Sequence, residues 1–248
     1  MNLRDQYKGI LHNDNLSVMD KKSRIDKLYT KTPISNTPPH DGNYDNYGSH
    51  NTFRLRKNGL YPEIKLALGE KPQGDTNKFA KAISNPDTVC IADIMINQFS
   101  SRTAEIVKLI NNRCYSSGNL LLIGNVLHPD VAKAFTLLLG FLSNIRTTNV
   151  YLILGKYDAF SVSDYISFGF TYVTDRAEKT IDGKKVIFTY YPVPLTRNQY
   201  NIHGALMGGA QYSHMSKDNH YDAYIKDGSQ QLKIRTIGEI LKDMGGGN

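Results

Sequence analysis

The sequence lacks three features that would each assign the chain to a familiar class of protein. It has two cysteines, Cys90 and Cys114, and no C-x-x-C motif, which excludes a disulfide-stapled scaffold and a cysteine zinc site. No run approaches the roughly 18 apolar residues that a membrane-spanning helix needs. Residues 1–10 are polar and contain no apolar signal core, so we expect a reduced, intracellular protein rather than a secreted one.

The sequence also has little clustering of charge. The net charge is +7, from 30 Lys and Arg against 23 Asp and Glu, and the excess is spread over both parts of the chain. A dedicated nucleic-acid-binding protein usually concentrates its basic residues on one face or in one run. The densest run, residues 54–57, is typical of a solvated basic loop, and contact with nucleic acid or an acidic partner is the alternative reading.

Residues 1–86 differ in composition from the rest of the chain. Residues 14–29 can form a short amphipathic helix. Residues 32–51 follow with three prolines, two glycines and almost no aliphatic side chain, so they cannot bury much surface on their own. We interpret residues 1–86 as an extended N-terminal arm and residues 87–248 as the folded domain.

From residue 87 onward the pattern alternates between strands and helices. Strands and helices are predicted in turn at 88–94, 101–113, 119–124, 129–142 and 149–155. This succession predicts parallel strands joined by crossover helices.

A hairpin and further strands are predicted after this unit. Asp182-Gly183 lies between two alternating runs, 178–181 and 184–189, which is a strong turn signal. The remaining predicted elements are strands at 200–203, 221–226 and 231–235, and a helix at 237–244.

Ligands of open α/β sheets bind beyond the carboxyl ends of the strands. The predicted strand ends are the segments 92–95, 123–125, 154–158, 189–192 and 202–208. In their order and spacing these five segments resemble the calcineurin-like metallophosphoesterases, particularly the small bacterial and phage members. There the same strand ends read D-x-H, G-D, G-N-H-D, H and G-H-x-H. The resemblance covers roughly residues 87–243 and implies an α/β fold, a two-sheet sandwich flanked by helices.

The family's residues hold two metal ions that activate a water and clamp a phosphate. Asp93 stands where the family's first aspartate stands. Asp158 also matches the motif, but capping of its own turn explains it without a metal. The other positions of the ligand and catalytic set hold different residues: Met95, Asn125, Lys156, Tyr157, Tyr190, Ala205 and Met207.

These replacements do not suit a pair of hard cations, which need several carboxylate and imidazole ligands. We therefore expect a degenerate site with no bound metal, no other cofactor and no catalysis. Lys156 would place an ammonium where cations should sit. We expect it to pair with Asp93 or to hydrogen-bond Asn125, because a buried ammonium without a partner is costly.

The histidines near the end of the domain leave one alternative open. His203, His214 and His220 could form a displaced metal site, although no carboxylate lies at a telling spacing from them. Surface or capping histidines are commoner than ligands.

The function we expect is that of a catalytically inactive, phosphoesterase-like structural protein in a large assembly such as a phage particle. Its arm, residues 1–86, would bind neighbouring protein subunits, because its tyrosines and histidines suit a polar interface. Two alternatives remain, a nucleic-acid- or ribosome-associated factor and a metal-dependent phosphodiesterase with a rearranged site. The expected location is the virion, or otherwise the cytoplasm, with no membrane partner.

Overall fold

The computed structural model describes eight segments of the chain: 2–31, 73–96, 101–115, 118–127, 134–158, 160–204, 218–224 and 234–245. Several predicted features lie outside these segments, namely the polar stretch 32–51, the basic run 54–57, Ala205, Met207 and His214.

The first sheet has six strands in the order β1-β5-β4-β3-β2-β10, of which β2 to β5 are parallel and the two edge strands are antiparallel. The central strands are apolar at almost every position because helices or the second sheet cover both of their faces. Their bounds are Gln73–Gly74 for β1, Val89–Ala92 for β2, Asn119–Ile123 for β3, Asn149–Ile153 for β4, Tyr172–Thr174 for β5 and Arg235–Thr236 for β10.

The second sheet has the order β6-β7-β8-β9. Strands β6 and β7 form the antiparallel hairpin, and Asp182 and Gly183 both have the positive φ that a tight two-residue turn requires. Strands β7, β8 and β9 run parallel to one another. The bounds are Arg176–Ile181 for β6, Lys184–Thr189 for β7, Gln199–His203 for β8 and His220–Asp222 for β9.

The described residues contain seven helices, which complete the layers. They are α1 (Leu3–Leu11), α2 (Val18–Lys31), α3 (Thr76–Ala82), α4 (Ser101–Arg113), α5 (Ala134–Asn144), α6 (Val162–Phe168) and α7 (Ile237–Gly245). None of these helices has the length and apolar character needed to cross a membrane.

The first sheet separates two hydrophobic cores. Side chains alternate along a strand, so Leu120 and Leu122 of β3 enter the core beneath α1, α4, α5 and α6. Leu121 and Ile123 enter the other core, which lies between the two sheets and includes Phe79 of α3 and residues of α7. The predicted class, α/β with two sheets and flanking helices, is confirmed.

Several predicted elements are confirmed in detail. The helix at 101–113 has the predicted bounds, and the hairpin turns at Asp182-Gly183. The strands at 119–124 and 149–155 end one or two residues earlier than expected, and they pair in parallel. The amphipathic helix predicted at 14–29 is α2, shifted by a few residues.

The predicted boundary between an arm and a domain at residue 86 is wrong for the described residues. Leu3 and Tyr7 are buried in the first core, and the guanidinium of Arg4 donates to the carbonyl oxygens of Ile145 at 2.6 Å and Thr147 at 2.8 Å. At the other end of the predicted arm, Phe79, Ala82 and Ile83 belong to the second core, and β1 pairs with β5. Both ends of residues 1–86 are therefore part of the domain.

Three short helices, α1, α3 and α6, were not predicted. Helices of seven to nine residues show too few turns for a clear apolar period, and they depend on tertiary packing for stability. Each nevertheless begins at a side chain that caps it. Asn2 accepts from the amide of Asp5, Asp75 accepts from that of Lys78, and Ser161 forms a capping box.

Two substitutions in α1 test whether this helix belongs to the domain. Arg4→Met removes two charge-assisted hydrogen bonds and should lower the free energy of unfolding by about 2 kcal/mol. Gly9 is exposed and a Cβ there meets nothing within 4 Å, so Gly9→Ala should raise it by about 0.5–1 kcal/mol. Urea unfolding monitored by circular dichroism measures both. A helix that belonged to an independent arm would leave the main transition unchanged in both variants.

Candidate functional site

The ends of the strands of both sheets meet at one corner of the molecule. Asp93 follows β2 and Asn125 follows β3, while Tyr190 follows β7 of the second sheet. Ala92 pairs in parallel with Tyr224, and its amide donates to the carbonyl of Ala223 at 2.9 Å. This pairing joins the first sheet to the end of the second, which brings the predicted site residues together.

Three buried side chains form a closed hydrogen-bonded cluster at this corner, which we call the Asp93 cluster: Asp93, Asn125 and Tyr190. The Nδ2 of Asn125 donates to Asp93 Oδ1 at 2.8 Å and to the Tyr190 hydroxyl at 2.7 Å. The hydroxyl in turn donates to Asp93 Oδ2 at 3.4 Å. The Oδ1 of Asn125 accepts from the backbone amide of Tyr157 at 2.6 Å. All three side chains are at most 9% exposed.

Two glycines provide the space that the Asp93 cluster occupies. Gly124 has a φ of 73°, and a Cβ there would lie 2.1 Å from the ring of Tyr190. A Cβ on Gly155 would lie 2.5 Å from Oδ1 of Asn125. Real side-chain carbons do not approach other atoms this closely, so the ring of Tyr190 and the amide of Asn125 rest directly on glycine backbone.

The backbone after β2 is strained. Asp93 and Met95 both have positive φ, 48° and 52°, which is uncommon for residues other than glycine. Their amides donate to the carbonyl oxygens of Ile123 at 3.2 Å and Asn125 at 3.1 Å, and these bonds hold the strained conformation. Strain of this kind occurs mostly at functional sites, which agrees with a site at this position.

Burial changes the protonation of the carboxyl groups here. Burial, together with the charge of Asp158, raises the pKa of Asp93 to about 8, although the hydrogen bonds from Asn125 and Tyr190 oppose the shift. Burial also raises the pKa of Asp158 to about 6, against the opposing effect of two backbone amides. The Asp93 carboxyl is therefore mostly protonated at neutral pH.

The remaining donors at the corner do not fit a two-metal site. Asp158 Oδ2 accepts from the amide of Gly155 at 2.7 Å, the predicted capping of its own turn. Its Oδ1 accepts from the amide of Val126, after β3, at 3.0 Å. Among the described residues, no three His, Cys, Asp or Glu side chains are grouped so that they could hold a metal ion. A neutral carboxyl, an amide and a phenol supply too little negative charge for two divalent cations.

The predicted contact of Lys156 with the Asp93 cluster is wrong. The side chain of Lys156 is exposed, and its ammonium lies 5.1 Å from the centre of the Tyr157 ring, a cation–π distance. The hydrogen bonds of Asp93 come from Asn125 and Tyr190 instead. Neutral donors avoid the cost of burying an ammonium, and this is the physical reason for the difference.

Two of the three histidines considered as a displaced metal site lie side by side. The rings of His203 and His220 are 5.8 Å apart, and the Nε2 of His220 is 2.8 Å from the carbonyl oxygen of Val193. His220 is therefore engaged by the backbone in this structure.

Comparison with known proteins assigns neither a family nor a function to this chain. No family model and no curated protein matches this chain. Among solved structures, a protein of unknown function from Aquifex aeolicus is similar, with 14% sequence identity and a TM-score of 0.42 over 56% of this chain and 89% of that one. Similarity at this level does not indicate a function.

Substitution at Gly124 tests the packing of Tyr190. Gly124→Ala places a methyl group inside the phenol ring and should lower the free energy of unfolding by about 3 kcal/mol. Gly183→Ala is the matched control, because Gly183 also has positive φ but a Cβ there meets nothing; it should cost about 1 kcal/mol. In a Tyr190→Ala background the two substitutions should cost the same. Equal costs in the native background would contradict the packing.

The pH dependence of stability tests the protonation of Asp93. Its pKa is higher in the folded protein than the ordinary 3.8, so the folded state holds a proton that the unfolded state releases, and stability falls as pH rises toward 8. Asp158 contributes only up to about pH 6. Between pH 6 and 8, Asp93→Asn should therefore gain about 2 kcal/mol relative to the native protein in chemical unfolding. Asp87→Asn, an exposed carboxylate before β2, is the control, and an equal gain there would contradict the assignment.

Proposed function

We propose that this chain is a catalytically inactive, phosphoesterase-like structural protein and a component of a large assembly such as a phage particle. The observation that carries the proposal is the Asp93 cluster. By the resemblance of the strand ends, its residues stand at positions where that family has metal ligands, and they hydrogen-bond to one another. A resemblance in the order of the strand ends supports the family relationship, and the departures at the ligand positions support the loss of activity.

The chemistry of the cluster supports a structural role over a catalytic one. Two-metal hydrolysis needs ligands that remain anionic and can exchange water for substrate. Here Asp93, the carboxyl at the position of the family's first aspartate, has its pKa raised to about 8, and the Tyr190 ring rests on the backbone of Gly124. A tightly packed hydrogen-bonded corner stabilises a fold, and it joins the two sheets into a rigid body that can carry protein contacts.

The contacts with neighbouring subunits are proposed to come from within residues 1–86. The polar, proline-rich composition of residues 32–51 suits a wet interface between proteins, and coupled ordering on a partner is the usual behaviour of such composition. Helix α2 packs against the first core and strand β1 pairs with β5, so both elements belong to the domain. Within residues 1–86 the stretch 32–51 is therefore the part that we propose contacts partners, in the virion or otherwise in the cytoplasm.

Metal content and hydrolysis test the first half of the proposal. Protein purified with manganese and iron in the growth medium should contain well under one metal per chain and should not hydrolyse bis-p-nitrophenyl phosphate above the buffer rate. Asn125→Asp restores a carboxylate that the family uses, but tyrosines remain at 157 and 190, so this variant should be equally inactive. Stoichiometric metal with manganese-stimulated turnover, in either protein, would contradict the proposal.

Replacement of residues 32–51 by a Gly/Ser linker of equal length tests the second half. Thermal melting of this variant should match that of the native chain, because the replaced residues contribute few apolar groups to a core. Its co-sedimentation with assembled particles should be lost. Deletion of residues 1–86 would be uninformative about assembly, because it also removes Leu3, Phe79 and other core residues. A linker variant that still enters particles at the native level would contradict the assignment of partners to this stretch.

A further inference from the structure

A surface cavity of about 720 Å³ lies between α3 and the edge strand β6. It shares no lining residue with the Asp93 cluster. The residues that line it are Asn77, Ala80, Lys81, Ser84, Asn85 and Lys179. The cavity is shallow and open to solvent.

Lys179 occupies a position where the strand pattern calls for an apolar residue. Its neighbours on the same face of β6, Ala177 and Ile181, are buried in the second core, and its register partner on β7 is the buried Val186. Side chains two residues apart share a face, so Lys179 is half-buried on the inward face of the sheet. The second core ends at this position, and the side chain of Lys179 lines the cavity instead.

Among the described residues, the two lysines of this cavity have no counter-charge. None of the described lining residues carries a carboxylate, and neither Lys81 nor Lys179 forms an ion pair with another described residue. Nearby lysines do form such pairs. The Nζ of Lys78 lies 3.6 Å from Oδ2 of Asp75, and the Nζ of Lys185 lies 2.6 Å from Oε2 of Glu178. Two like charges brought to one concave surface from two elements raise the local concentration of anions.

Side-chain amides add neutral donors to the two ammonium groups. The Oδ1 of Asn85 accepts from the amide of Asp87 at 2.9 Å, so the group that Asn85 offers the cavity is its NH₂. Asn77 contributes a second amide. Ser84 offers no donor, because its hydroxyl donates to the carbonyl of Ala80 at 2.7 Å.

We propose that this cavity binds phosphate groups, either free or within the backbone of a single-stranded nucleic acid. Ammonium groups bind phosphate as point charges, and the amide donors match a ligand that has several acceptor oxygens. None of the described residues that line the cavity is aromatic. The proposed contacts are therefore with phosphate alone, and recognition should be independent of nucleotide sequence.

A lysine on the inward face of an edge strand also prevents pairing between sheets of different molecules. That role explains Lys179 alone. It does not explain why Lys81 and the two side-chain amides line the same cavity. The two explanations differ in what the loss of each lysine does to anion binding.

The test compares Lys81→Gln and Lys179→Gln with two matched controls, Lys78→Gln and Lys185→Gln, which remove the same charge outside the cavity. Fluorescence anisotropy with a labelled 12-nucleotide oligothymidylate measures binding of nucleic acid. The change in melting temperature with inorganic phosphate or ADP measures binding of free phosphate.

Each cavity variant should weaken binding at least about threefold and the double variant about tenfold. In the nucleic-acid arm, the slope of log affinity against log salt should fall by about 1.4 in the double variant. The controls should change affinity less than twofold.

Response in either arm supports the site and identifies the source of the phosphate. Lys81 is exposed on the helix surface, so its variant keeps the test valid if Lys179→Gln fails to fold. Equal effects of all four variants, absence of binding by the native chain, or tighter binding of a polyglutamate peptide than of either phosphate probe would overturn the proposal. So would aggregation of Lys179→Gln with unchanged phosphate binding by Lys81→Gln.

Discussion

The side-chain amide of Asn125 is the interaction on which the corner of this fold depends. One amide group donates to a carboxyl and to a phenol, and accepts from the backbone after β4. It thereby connects the ends of three parallel strands of the first sheet with Tyr190, which follows β7 of the second sheet. Few other side chains offer both donors and an acceptor in one plane. The Asn125 amide suits a protonated Asp93, because the hydrogen bond between them does not require either group to be charged.

The Asp93 cluster is neutral, and this explains the conformation of the residues around it. A buried ion pair at the same place would bear a desolvation cost that its attraction scarcely repays, and the structure instead keeps Lys156 exposed above Tyr157. Glycines at 124 and 155 let the phenol ring and the amide approach the backbone. The strained residues Asp93 and Met95 persist because backbone hydrogen bonds and the cluster over-determine their conformation. Together these features describe a joint between two sheets.

The sequence allowed part of this to be predicted, and the limits are physical. Strong apolar runs identified β2, β3 and β4, and the Asp-Gly pair identified the hairpin, because these signals are local. The corner itself was located because parallel strands end at one edge of a sheet. The contacts within the corner were not predicted. The ammonium of Lys156 was expected to contact Asp93, whereas the hydroxyl of Tyr190 does so in the structure. The membership of α1 and α3 in the domain was also missed, because helices this short are stabilised by tertiary contacts such as those of Arg4 and Phe79.

The most direct test of this account is a crystal structure of the protein grown with 10 mM manganese chloride, with anomalous scattering measured at the manganese edge. The account predicts no anomalous peak at the corner, and Asn125 Nδ2 within hydrogen-bonding distance of both Asp93 and the Tyr190 hydroxyl. Two manganese peaks about 3.5–4 Å apart beside Asp93, with the Tyr190 ring displaced from Gly124, would contradict it.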